Sequence, residues 1–306
     1  MSAPIPPPRS CGFTTSTPVP LYWAAYGPAG APTLLVLHGG PGAHHDYMLP
    51  QMLELASDYA LIFYDQRGGG RSVTSERSPI TWRTHVGDLS LLVRELGLTP
   101  LSLLGFSWGG LLALLYAVVT SATAGDDDDD AGAPPPSRMV LLDPASAAGD
   151  LRSQFEQEFA RRQQSAEVQA MRAELAASGL RERDHDAYRQ RLFELSVAGY
   201  FAEPQRAREL TPFRVTGRVQ QSVWESLDGF DLTRQLRAVR APTLIVHGEA
   251  DPIPVASSQA IAQAMPNAKL VTLPGSGHVP YVEAADALFP AIRAFLAETD
   301  HLVRKE

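Results

Sequence analysis

One cysteine, Cys11, is all that 306 residues contain. No intrachain disulfide can form, so a hydrophobic core must hold the fold. No apolar run is long enough to cross a bilayer. Residues 1–9 carry neither the apolar segment nor the cleavage pattern of a secretory leader and read as an extended or disordered lead-in. Together these absences predict a cytoplasmic chain with no membrane partner. Basic charge is also scarce. Lys and Arg number 26 against 34 Asp and Glu, for a net charge of −8. A nucleic-acid partner would need a basic patch or stripe, and none is present. Five of the negative charges form the run Asp126 to Asp130, which precedes Pro134-Pro135-Pro136. Like charges repel and extend, so this segment reads as a solvated loop. Metal-ligand clusters are lacking too. His44, His45 and Asp46 are neighbours in sequence, but adjacent side chains diverge and no further cluster completes a site. Neither a metal nor a cofactor is expected.

What the chain does have is a repeating alternation. Short β-rich apolar runs at residues 19–26, 32–38, 60–65, 101–105, 138–143, 242–247 and 268–273 are separated by longer stretches. Helical patterns fill residues 82–96, 108–119, 257–265 and 283–297. This order predicts an α/β fold with a mainly parallel sheet flanked by helices on both faces. Residues 145–235 break the rhythm. They are rich in Arg, Gln, Glu and Ala, and Leu151, Phe155 and Phe159 recur at helical spacing. The expected organisation is therefore a core of residues 1–144 and 236–306, with 145–235 as a helical cap inserted between two strands. Such a cap would cover a site at the carboxyl ends of the strands.

Four motifs stand at strand ends. Gly105-Phe106-Ser107-Trp108-Gly109 follows an apolar strand and opens a helix. A turn this sharp leaves room only for glycine beside the serine and lifts its hydroxyl clear of the sheet. Ser107 is the candidate nucleophile. The amide of Trp108, at a helix start, faces the place where an oxyanion would develop. His38-Gly39-Gly40-Pro41-Gly42 follows an earlier strand; Gly40 is the candidate second oxyanion donor, with Gly39 behind it against the substrate. Asp251, in the turn after residues 242–247, is the candidate acid, and Asp143 holds the rival position. His278, in a glycine-rich loop after the last strand, is the candidate base, because neutral imidazole can take the serine proton and return it. The order Ser107, Asp251, His278 is the one expected of a nucleophile elbow served by an acid and a histidine.

Together with His45-Asp46-Tyr47 and Asp65-Gln66-Arg67-Gly68, these motifs resemble the proline iminopeptidase group of the α/β-hydrolase fold. The resemblance covers nearly the whole core and weakens in the cap. It implies an α/β-hydrolase fold, Ser107, Asp251 and His278 as triad, and Gly40 and Trp108 as the oxyanion hole. In that group acidic residues hold the free amine of the substrate. Here Pro252 and Pro212 occupy two positions where such acids are expected, while Ser222-Val223-Trp224-Glu225 is similar to a cap segment of longer members. Glu225 is thus the candidate amine anchor, with Trp224 beside it. The Asp65 and Arg67 side chains are expected to brace the oxyanion loop.

The expected function is serine hydrolysis of a small molecule or short peptide through an acyl-enzyme. The substrate is either an amide or peptide with a free N-terminal residue, or a small ester or lactone. Carbon–carbon bond hydrolysis uses similar residues, and ligand binding without turnover is a further alternative on this fold. The sequence leaves the oligomeric state open.

Overall fold

A computed structural model describes residues 5–75, 78–123 and 132–303. The acidic run 126–130 lies outside the described residues, as does the very start of the lead-in. The strands are β1 (Ser10–Phe13), β2 (Tyr22–Tyr26), β3 (Thr33–Leu37), β4 (Ala60–Tyr64), β5 (Ser102–Phe106), β6 (Arg138–Leu142), β7 (Thr243–Gly248) and β8 (Ala268–Leu273). They form one sheet in the order β1-β2-β4-β3-β5-β6-β7-β8. β1 and β2 pair antiparallel, β2 joins β4 antiparallel, and every pairing from β4 to β8 is parallel. Each expected strand is present within a few residues. β1 was not expected: it is a short, largely exposed edge strand of Ser, Cys, Gly and Phe, with no apolar alternation to announce it.

The central strands read as unbroken apolar runs because both faces of the sheet are covered. Leu34 and Val36 of β3 enter one core, and Leu35 and Leu37 enter the other. β5, β6 and β7 divide the same way, as the two-residue period of a strand requires. The helices are α1 (Trp82–Glu95), α2 (Trp108–Thr123), α3 (Asp150–Arg162), α4 (Ala166–Ala177), α5 (Leu180–Arg183), α6 (His185–Val197), α7 (Gly217–Glu225), α8 (Val255–Ala264), α9 (Pro280–Glu283) and α10 (Ala285–Val303). Buried residues of α1 and α2 belong to one core, and those of α10 to the other. No helix of the described residues is long and apolar enough to cross a membrane.

Helices α3 to α7 all fall between β6 and β7. The two ends of this excursion are stitched together. Gly149 donates its N–H to the Phe230 carbonyl at 3.1 Å, and Leu232 donates to that of Ala147 at 2.9 Å. Residues from these helices, among them Phe155 and Trp224, line a cavity together with residues at the carboxyl ends of the strands.

Candidate active site

Ser107 sits in the turn between β5 and α2 with φ +53°, a left-handed conformation that costs energy for a residue with a Cβ. Its neighbours explain how the turn is held. A Cβ on Gly105 would lie 2.4 Å from the Gly109 carbonyl oxygen, and one on Gly109 would lie 2.1 Å from that of Leu37. Only glycine lets α2 begin this close to the end of β3. The amide of Ser107 donates to the Leu142 carbonyl at 2.9 Å, so the β5–β6 ladder continues into the turn.

The Ser107 hydroxyl lies 3.0 Å from Nε2 of His278. Nδ1 of His278 lies 2.8 Å from Oδ2 of Asp251. A carboxylate only accepts, so Nδ1 carries the proton and Nε2 is free to accept from the serine. Burial would raise the Asp251 carboxyl, but the adjacent His278 outweighs it and holds the group below the usual range. Oδ1 of Asp251 takes the Ile253 amide at 2.7 Å. Three residues 171 and 27 positions apart in sequence are thus joined in one hydrogen-bonded line.

The loop carrying His278 is anchored by the segment after α6. The His278 amide donates to the Tyr200 carbonyl at 2.7 Å, and the Tyr200 ring stacks on the imidazole. Glu283 accepts from Gly277 at 2.8 Å and from Ala202 at 2.7 Å, tying that loop to the segment after α6. Sequence patterns carry no signal for the hydrogen bond, because it uses the Tyr200 carbonyl and not its side chain.

Gly40 lines the same cavity as Ser107 and has φ +62°. The Gly39 amide is already given to the Tyr47 hydroxyl at 2.8 Å, and a Cβ on Gly39 would press to 3.0 Å from that of Ser107. Trp108 is the first residue of α2, so its amide has no partner within the helix. Gln66 connects the two segments. Its Nε2 donates to the His38 carbonyl at 2.9 Å, and its Oε1 accepts from the Trp108 indole at 2.7 Å. His38 closes the loop by accepting the Gln66 amide at Nε2, and burial pushes its imidazole down to about 4.

The expected brace through Asp65 and Arg67 is half right. Asp65 takes the backbone and ring of His45 and the Arg71 amide. Burial works against its charge, yet those donors keep it below the ordinary carboxylate range. Arg67 turns away and pairs with Asp88 on α1. The bracing residue that sequence reasoning missed is Gln66, and its signal was its place between those two charges. His45 and Asp46 serve the same network, Asp46 through Arg71 at 2.8 Å.

Ser107 and His278 open into a cavity of about 1150 Å³. One wall is aromatic: Tyr47, Phe106, Tyr200, Phe213 and Tyr281. Tyr47 meets Phe213 at 4.4 Å between ring centroids, and Phe106 meets Tyr281 at 5.2 Å. The other wall holds Trp224, whose ring meets Trp108 at 5.5 Å and carries the Arg152 guanidinium at 4.3 Å. Glu225 also lines the cavity, but it is exposed and accepts from Gln221 at 2.7 Å. Asp228 and Asp231 on the same wall are exposed as well. Pro252 is buried beside Asp251, and Pro212 is exposed.

Comparison with known proteins agrees with this architecture. The model of the alpha/beta hydrolase family matches residues 34–291. A proline iminopeptidase from Lactobacillus delbrueckii subsp. lactis is 27% identical over 262 residues, which cover 82% of this chain and 85% of that one. The crystal structure of a proline iminopeptidase from Mycobacterium smegmatis superposes with a TM-score of 0.66 at 20% identity, over 96% of this chain and 99% of that one. An enol-lactonase from Burkholderia xenovorans superposes with a TM-score of 0.65 at 20% identity, over 94% of this chain and all of the other. The chain belongs to the alpha/beta hydrolase family and is similar to its proline iminopeptidases.

Proposed function

We propose that this protein is a serine hydrolase that cleaves small esters or amides through an acyl-enzyme on Ser107. The observation that carries this reading is the hydrogen-bonded line from Ser107 through His278 to Asp251. Nε2 of His278 takes the hydroxyl proton as Oγ attacks the substrate carbonyl. The amides of Gly40 and Trp108 hold the oxyanion. The imidazolium, held by Asp251, then gives its proton to the leaving group. Water, activated by the same imidazole, hydrolyses the ester on Ser107 and regenerates the hydroxyl. Residues 145–235 act as a cap that shields this exchange from bulk water.

The cavity supports an uncharged, apolar acyl group. The aromatic wall beside Ser107 has no ionised side chain, and a desolvated ammonium there would lack a counter-charge. A second reading has one specific observation in its favour. Glu225 lines the opposite wall and has an exposed carboxylate that could receive the amine of an N-terminal residue, as in a proline iminopeptidase-like aminopeptidase.

Hydrolysis of p-nitrophenyl acyl esters, compared with prolyl and other aminoacyl naphthylamides, separates the two. The first reading predicts ester turnover that improves with an apolar acyl chain. Turnover of aminoacyl amides that collapses in Glu225→Gln would establish the second instead. Loss of every activity in Ser107→Ala is common to both.

A further inference from the structure

Two aspartates stand behind His278, and the reaction outlined above uses only one. Asp143 follows β6 at the carboxyl edge of the sheet, fully buried, with φ +41°. Its Oδ1 accepts the amide of Gly248, the last residue of β7, at 2.8 Å. Its Oδ2 is buried and has no hydrogen-bond donor facing it. A carboxyl oxygen of Asp143 lies within 4.8 Å of one of Asp251.

Between the two lies His247, whose ring nitrogens are both engaged by other partners. Its Nε2 meets the Ile253 carbonyl at 3.0 Å and must donate; its Nδ1 meets the Ser258 hydroxyl at 2.9 Å, from which the neutral ring accepts. Its ring nitrogens stay 3.9 Å from Asp143 and from Asp251. Burial pushes this imidazole towards the neutral form. For the same reason the trio does not suit a cation, because His247 has no lone pair to give. Two neighbouring carboxylates, Asp251 and Glu283, disfavour a charge on Asp143. Two ionised carboxylates buried this close repel strongly, so one keeps its proton. Asp251 must be the ionised member, because it accepts from Nδ1 of His278.

We propose that Asp143 is a neutral carboxylic acid that positions Asp251, its Oδ2–H donating to the Asp251 carboxylate while its Oδ1 accepts from Gly248. The proton stays on Asp143 throughout turnover. The proposal rests on the reading of Asp251 as the acid that holds His278. Burial and the nearby Asp251 charge push the Asp143 carboxyl well above the usual carboxylate range, in agreement with the geometry. Asp251 then accepts from Ile253, Asp143 and His278, which fixes the plane of its carboxylate. Asp143 is thus no spare acid in the rival position but a hydrogen-bond donor to the acid in use.

The test uses two variants and one spectroscopic signature. Asp143→Asn keeps both the acceptor and the donor of a neutral acid, whereas Asp143→Ala removes them. The rate of fluorophosphonate labelling at Ser107 reports on the activated serine without a known substrate. Asp143→Asn is expected to stay within about threefold of wild type, and Asp143→Ala to fall by about ten- to a hundredfold, as loss of a buried hydrogen bond to a charged group implies. The ¹³C-aspartate NMR spectrum of the wild type should hold a neutral carboxyl signal at pH 7 that is missing in Asp143→Asn. If Asp143→Ala does not fold, the spectrum and Asp143→Asn still decide. Absence of the neutral signal, or a loss in Asp143→Asn of tenfold or more, overturns the proposal. Undiminished labelling in Asp251→Asn would instead overturn the reading of Asp251 on which it rests.

Discussion

The Tyr200 carbonyl accepts the His278 amide at 2.7 Å while the Tyr200 ring stacks on the same imidazole, 5.1 Å between centroids. A residue between β6 and β7 thus supports the histidine from two directions. Removing the ring but not the carbonyl should loosen the imidazole without unfolding the loop. Tyr200→Ala is expected to lower kcat about fivefold, the size of a lost aromatic contact of about 1 kcal/mol. Tyr200→Phe should stay near wild type. Steady-state kinetics on whichever ester proves to be turned over would check this. Equal losses in both variants would assign the effect to the hydroxyl instead.

Gln66 joins the loop after β3 to the residue after the serine through its bonds to His38 and Trp108. Gln66→Leu would leave a buried carbonyl and a buried indole N–H without partners, at about 1–3 kcal/mol each. The expected result is a lower melting temperature together with a fall in kcat at nearly unchanged KM, as the oxyanion role proposed for Gly40 and Trp108 requires. A rise in KM with unchanged kcat would show that the displaced segments bind substrate without stabilising the oxyanion.

Stability should depend on pH above the carboxylate range. Burial pushes His38 down to about 4 and His85 down to about 3. Both are neutral in the fold, while an unfolded histidine protonates near 6.5. Their stabilisation is therefore complete above about pH 6.5 and is lost as pH falls towards the folded values, at up to about 1.4 kcal/mol per unit for each group. A neutral Asp143 contributes in the opposite sense, so the histidine share is read by difference: the drop in urea midpoint between pH 6.0 and 5.0 should be smaller in His85→Leu than in the wild type. Equal drops in the two proteins would contradict the buried, neutral assignment of His85.

The sheet was legible because strands covered on both faces must be apolar throughout, as residues 33–37 and 138–142 are. The serine turn was legible because its sterics admit only glycine at 105 and 109. β1 was not, since an exposed edge strand such as Ser10–Phe13 needs no apolar pattern. The contacts of Tyr200, Gln66 and Asp143 were hidden for a different reason. Each acts on a residue distant in sequence through a carbonyl, an amide side chain or a shared proton, and none of these leaves a periodic trace. The place of Glu225 on an exposed wall likewise depends on how α7 packs, which its motif does not encode.

Everything proposed for this site depends on Ser107 forming a covalent acyl intermediate. Intact-protein mass spectrometry after mixing with a slowly deacylating p-nitrophenyl ester, followed by peptide mapping, tests that most directly. The account predicts one acyl adduct per chain, located on Ser107 and absent in Ser107→Ala and strongly reduced in His278→Ala. An adduct on another residue, or ester hydrolysis that persists in Ser107→Ala, would contradict it.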